Sequence, residues 1–151
     1  MSLNLYLLSD SGAVIRNTVE YIKRKLPKAQ VDGTSDAQAA IDYLSLHGAT
    51  KVYDAVVILD AGVASDKFSD GFYSLLIPII EHLMSGPNVY YIAKDKRNIA
   101  RFKSNFDTSG LAHFSKEVPS ITDEVINKLV LQHIYSTIPS HAEITSKDDS
   151  L

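Results

Sequence analysis

Two carboxylates and one ammonium in this chain directly follow short apolar runs, the places where a sheet holds side chains still enough for chemistry. Asp10 follows the run at residues 3–8 and Ser9, Asp60 ends the run that starts at Ala55, and Lys116 follows Phe114 and Ser115. If those runs are neighbouring parallel strands, the three groups converge on one carboxyl edge. Such a set suits a hard divalent cation, which takes one or two carboxylates, a backbone carbonyl and several waters. A lysine beside it would complement the negative oxygens of a transferred phosphoryl group. Each residue also has a plainer use. Asp10 or Ser11 can cap the helix that follows, Asp60 can be a polar stop, and Lys116 can be a solvated lysine. Ser9 reads as a local hydrogen bonder, because no histidine or acid is placed to activate it.

The elements that must position these groups alternate regularly. After the first run, Ile15, Val19, Ile22 and Leu26 recur at helical spacing and Pro27 closes the pattern. Residues 30–34 form a weak strand candidate. Ala37, Ala40, Ile41 and Leu44 mark a second helix ending at Gly48, and residues 55–59 read as a central strand buried on both faces. Phe72, Leu75, Leu76, Ile79 and Leu83 predict a third helix that Pro78 either kinks or delays. Residues 89–93 predict a fourth strand, Ile99, Phe102 and Phe106 a fourth helix, and residues 111–114 a fifth strand. Ser120-Ile121-Thr122-Asp123 resembles a capping box for a last helix carrying Ile126, Leu129, Val130 and Ile134.

Five strands alternating with five helices predict an α/β three-layer sandwich with a parallel sheet in the flavodoxin-like order 2-1-3-4-5. In such sheets the site lies at the carboxyl ends of the strands, where Asp10 and Asp60 fall. Residues 1–138 form one domain in this reading, and 139–151 a polar tail or linker.

Composition narrows the chemistry. With no cysteine among 151 residues, thiol catalysis, disulfides and cysteine-ligated zinc are excluded. A formal charge of -3 gives no basic footprint for nucleic acid, although Lys94, Lys96, Arg97, Arg101 and Lys103 cluster around the fourth helix. That cluster reads as a solvated face first and a partner-docking surface second. His47, His82, His113, His133 and His141 lack metal-ligand spacing. The apolar runs are too short to span a bilayer, and a cytoplasmic location is expected.

At this point the chain resembles the receiver domain of bacterial response regulators, over roughly residues 3–138. Ser9-Asp10 stands where that family has an acidic pair, Asp60 where it has its phosphoacceptor, and Asp70-Gly71 resembles its Asp-Gly at the third helix. Phe114-Ser115-Lys116 matches its apolar residue, hydroxyl and lysine, and His113 falls at its aromatic switch position. The resemblance implies that Asp60 takes a phosphoryl group from a sensor histidine kinase or phosphotransfer protein. Asp10, Asp60 and the Gly62 carbonyl would hold Mg²⁺, and Lys116 would pair with the phosphoryl group. Homodimerisation and a C-terminal effector domain outside this chain are also implied.

The departures are specific. Ser9 replaces one carboxylate, Ile92 or Ala93 occupies the strand-4 hydroxyl position, and a strict alignment would put Leu59 at the acceptor site. Glu117 follows Lys116 where proline is usual. They favour an alternative, a phosphorylation-independent pseudo-receiver acting as a dimerisation or protein-docking module. A flavin or nucleotide site built on residues 9–12 is disfavoured by the negative charge of Asp10.

Overall fold

A computed structural model describes residues 3–47, 52–63, 67–83 and 87–137. Strands and helices alternate as β1 (Asn4–Ser9), α1 (Gly12–Lys25), β2 (Gln30–Thr34), α2 (Ala37–His47), β3 (Ala55–Asp60), α3 (Asp70–Glu81), β4 (Asn88–Ala93), α4 (Lys96–Phe106) and β5 (His113–Glu117). The chain closes with α5 (Asp123–Ile126), a π-helical turn (Asn127–Leu131) and α6 (Gln132–Thr137). The sheet is parallel throughout, in the order β2-β1-β3-β4-β5 that the alternation predicts.

Burial follows the alternation of strand side chains. Tyr6, Leu8, Val56, Ile58, Val89 and Tyr91 face one layer, packed against Leu44 of α2, Tyr73 and Leu76 of α3, and Phe102 and Phe106 of α4. Leu5, Leu7, Val57, Leu59 and Ile92 face the other, against Ile22 of α1 and Ile126, Val130 and Ile134 near the C-terminal end. All six residues of β3 are buried, so its continuous apolar run reflects contact with both helical layers. Ser11 caps α1 by accepting the Val14 N–H at 3.3 Å, and Lys23, Arg24 and Lys25 sit in its last turn, where cations oppose the helix dipole.

Several local expectations shift. α3 starts at Asp70, capped by Ser69, and runs through Pro78. That proline is exposed, so its ring sits on the solvent side of the helix. Tyr73 takes an inward position, while Leu75 is 56% exposed. The fifth strand begins two residues later than residues 111–114 suggest. Ser109 Oγ donates to the Phe106 carbonyl and accepts the Leu111 N–H, which spends that stretch on a turn. Thr122, not Ser120, caps the last helical segment. The π turn then adds a residue to one helical turn, bringing the consecutive Val130 and Leu131 both into the core. Gly48 and residues 139–151 lie outside the described residues. Among those described, no helix is long and apolar enough to cross a membrane.

At the β2 edge, Tyr43 and Tyr53 donate to Asp32 Oδ2 at 3.2 and 3.0 Å, and Tyr6 stacks on Tyr43. Gly33 is required there, because a Cβ would sit 2.7 Å from the Leu7 carbonyl oxygen.

Candidate functional site

The carboxyl ends of β1 and β3 bring Asp10 and Asp60 together beneath Ala61, Gly62 and Val63, which directly follow β3. Asp10 is 6% exposed and Asp60 3% exposed. Asp10 Oδ1 accepts the Ala61 N–H at 2.7 Å and its Oδ2 accepts the Val63 N–H at 2.6 Å. Gly62, at a φ of 76°, supplies the left-handed residue between those two amides. Ser9 is fully buried. Its Oγ donates to Asp10 Oδ1 at 3.4 Å and accepts the Ser11 N–H at 3.1 Å, the local role expected of it.

Asp60 is held from three directions. Its Oδ1 accepts the Gly62 N–H at 3.1 Å, and its Oδ2 accepts the Tyr91 hydroxyl at 2.6 Å and the Asn98 amide at 3.1 Å. Burial raises the Asp60 carboxyl above its ordinary value and the neighbouring charge of Asp10 adds to the rise, while the three donors oppose it. Burial pushes the Tyr91 phenol up as well, which keeps it a neutral donor. Burial pushes the Tyr73 phenol up too, with the charge of Asp60 adding to the rise and the neighbouring Tyr91 hydroxyl opposing it.

The sequence puts Ile92 or Ala93 at the strand-4 hydroxyl position, which leaves no donor there, yet the hydroxyl of Tyr91, one residue earlier, does reach Asp60. Asp60 pairs with Ala93 across the sheet, and alternation puts Tyr91 on the same face. A phenol is long enough to reach up that face to the strand end. Asn98 lies in the first turn of α4, beside the inward-facing Ile99 and Phe102.

The other expected site residues are placed as follows. Gly62 is exposed in the loop, its N–H on Asp60. Lys116 is exposed on β5 and pairs with Ile92, whose side chain faces the α1 layer, whereas Asp60 and Tyr91 face the α4 layer. Among the described residues no hydrogen bond or ion pair joins Lys116 to Asp60. His113 opens β5 opposite Val89, four residues before the level of Asp60, or about 13 Å along the strands. His133 packs where its helical spacing suggests, stacked on Phe114, with Nδ1 3.0 Å from the Tyr90 hydroxyl.

Each oxygen of Asp10 accepts a backbone N–H, and among the described residues no group of three or more His, Asp or Glu side chains could hold a metal ion.

No protein-family model and no curated protein sequence matches the chain. Solved structures do match in fold. The N-terminal domain of a response regulator/sensory box/GGDEF three-domain protein from Carboxydothermus hydrogenoformans superposes with a TM-score of 0.57 at 10% identity, covering 91% of this chain and 98% of that one. A pilus assembly-related protein from Burkholderia pseudomallei gives 0.56 at 10% identity, covering 87% and 89%. A designed Rossmann 2x3 protein gives 0.55 at 14%, covering 85% and 90%. At these identities the likeness is one of fold.

Proposed function

We propose that this chain is a receiver-like signalling module that works without phosphorylation of Asp60 and presents α4 to a protein partner. One observation carries the reading. The carboxylates that would bind a cation and accept a phosphoryl group are buried and spent on internal donors: Asp10 on Ala61 and Val63, Asp60 on Tyr91, Asn98 and Gly62. The two amides on Asp10 supply the positive potential that a cation would otherwise bring, and they close the loop over the edge. On the outer side of α4, Lys96, Arg97, Arg101 and Lys103 are exposed, with Lys94 just before them. Of these only Arg97 has an ion pair among the described residues, with Asp95 at 3.4 Å. A partner with an acidic surface fits that face, steered by its charge.

Beryllofluoride with Mg²⁺, which mimics a phosphoryl group on a carboxylate, tests the first half. The amide resonances of Ala61, Gly62 and Val63 should stay where they are. Specific shifts at those three amides would overturn the reading. For the second half, charge reversal at Arg97 or Arg101 should remove a co-purifying partner that Asp60→Ala leaves in place.

A second reading retains Asp60 as the acceptor. The observation favouring it is the approach of a hydroxyl, from Tyr91, to a carboxylate at the end of β3 beside a second carboxylate. In it an Asp60 oxygen attacks the phosphorus of a phosphohistidine, the P–N bond breaks with its electron pair going to the imidazole nitrogen, and Lys116 swings in to pair with the phosphoryl oxygens.

A further inference from the structure

His113 meets acceptors on both ring nitrogens. Nδ1 lies 3.0 Å from the carbonyl oxygen of Leu111, and Nε2 lies 2.8 Å from Asp107 Oδ1. A carbonyl oxygen has no proton to give, and neither does an ionised carboxylate. A neutral imidazole can donate from only one nitrogen, so one of the two contacts would set lone pair against lone pair. Only the doubly protonated ring satisfies both.

The surroundings point the same way. Asp107 is the C-cap of α4, its N–H bonded to the Lys103 carbonyl. A carboxylate at a helix C-terminus faces the negative end of the dipole, and a cation beside it relieves that repulsion. The His113 ring is also lodged against Phe102 and Phe106, with centroids 5.8 and 5.9 Å away. It therefore touches the end of α4 through both charge and packing. Its side chain is 19% exposed, open enough to exchange protons with water.

We propose that His113 is a proton-operated clamp: doubly protonated, it ties the C-terminal end of α4 to the start of β5, and on losing a proton it releases that end. Asp107 is the charged group in direct contact. His133 and Tyr90 line the same cavity of about 290 Å³, from α6 and β4, and Glu81 of α3 reaches the neighbouring Gly110 N–H at 3.4 Å. β4 otherwise presents the apolar Val89 to the ring. Gain or loss of that one ring proton moves the clamp. The consequence is control of the anchoring of α4, whose cationic face is the proposed docking surface. The clamp itself does not depend on that surface having a partner.

Amide exchange on the full chain tests it, read as protection factors corrected for the intrinsic pH dependence of exchange. From pH 5.5 to 8.5, protection at residues 103–107 should fall by about two- to fivefold relative to α1, the scale of a partly exposed ion pair. Asp107→Asn, at an exposed position that leaves the core intact, should abolish the pH dependence. Imidazole nitrogen shifts at pH 5.5 should show both His113 nitrogens protonated. Equal relative protection at the two pH values would overturn the clamp. So would full pH dependence in Asp107→Asn, or a neutral His113 ring at pH 5.5.

Discussion

Replacing Tyr91 by Phe removes one oxygen from the centre of the site and leaves the core otherwise filled. That oxygen donates to Asp60 Oδ2 at 2.6 Å, the shortest of the three contacts Asp60 receives. Hydrogen bonds to charged groups contribute about 1.5–3 kcal/mol, and a buried acceptor that loses its donor bears its desolvation cost. Asn98 and Gly62 remain, so about 2 kcal/mol is the expected loss at pH 7. For a chain of this size that lowers Tm by about 4–8 °C. Losing the donor also raises the Asp60 carboxyl further, so the deficit should shrink as the pH falls and Asp60 becomes protonated. Urea denaturation of both proteins at pH 7 and at pH 4.5 reads these numbers directly. A variant within about 0.5 kcal/mol of the parent at pH 7, where surface substitutions fall, would refute the assignment of Tyr91 as a donor to a buried carboxylate.

Three further outcomes are expected. Asp10→Asn leaves either the Ala61 or the Val63 N–H facing an amide NH₂ group, at a cost of about 2–4 kcal/mol in urea denaturation, with faster exchange at both amides. Gly33→Ala should cost about 1–3 kcal/mol in the same assay, because its Cβ would meet the Leu7 backbone oxygen at 2.7 Å. Because the folded Asp60 carboxyl is raised, its contribution to stability is present at low pH and fades as the pH rises from about 4 through its folded value. The stability of the parent relative to Asp60→Asn should therefore fall over that window, and a flat difference would contradict the burial of its charge.

Much of the architecture was legible because it rests on long-range patterns. The apolar run of β3 reports burial on both faces, the helical spacing of Ile15, Val19, Ile22 and Leu26 reports one buried helix face, and their alternation constrains the strand order. Asp10 and Asp60 were visible as polar residues ending apolar runs. Tyr91, Asn98 and Tyr73 were not. In chain order Tyr91 is one more large residue in a buried strand, and Asn98 is one polar residue in a basic helix. Only the register of β4 against β3 puts that phenol on the face of Asp60. A usable signal did exist, since a buried tyrosine hydroxyl usually finds a partner, and residues 91 and 60 share strand parity with the pair 93 and 60. β5 starts later than its apolar residues suggest, for a different reason. Leu111 is buried in a turn, and burial alone does not separate a turn from a strand.

The central claim is that the carboxyl edge is closed on itself. It is tested most directly by intact mass after incubation with a small acyl phosphate, with and without Mg²⁺, alongside Asp60→Asn. The account predicts no phosphoryl adduct on the folded protein in either condition. A Mg²⁺-dependent adduct of one phosphoryl group, absent from Asp60→Asn, would contradict it and make Asp60 a working acceptor.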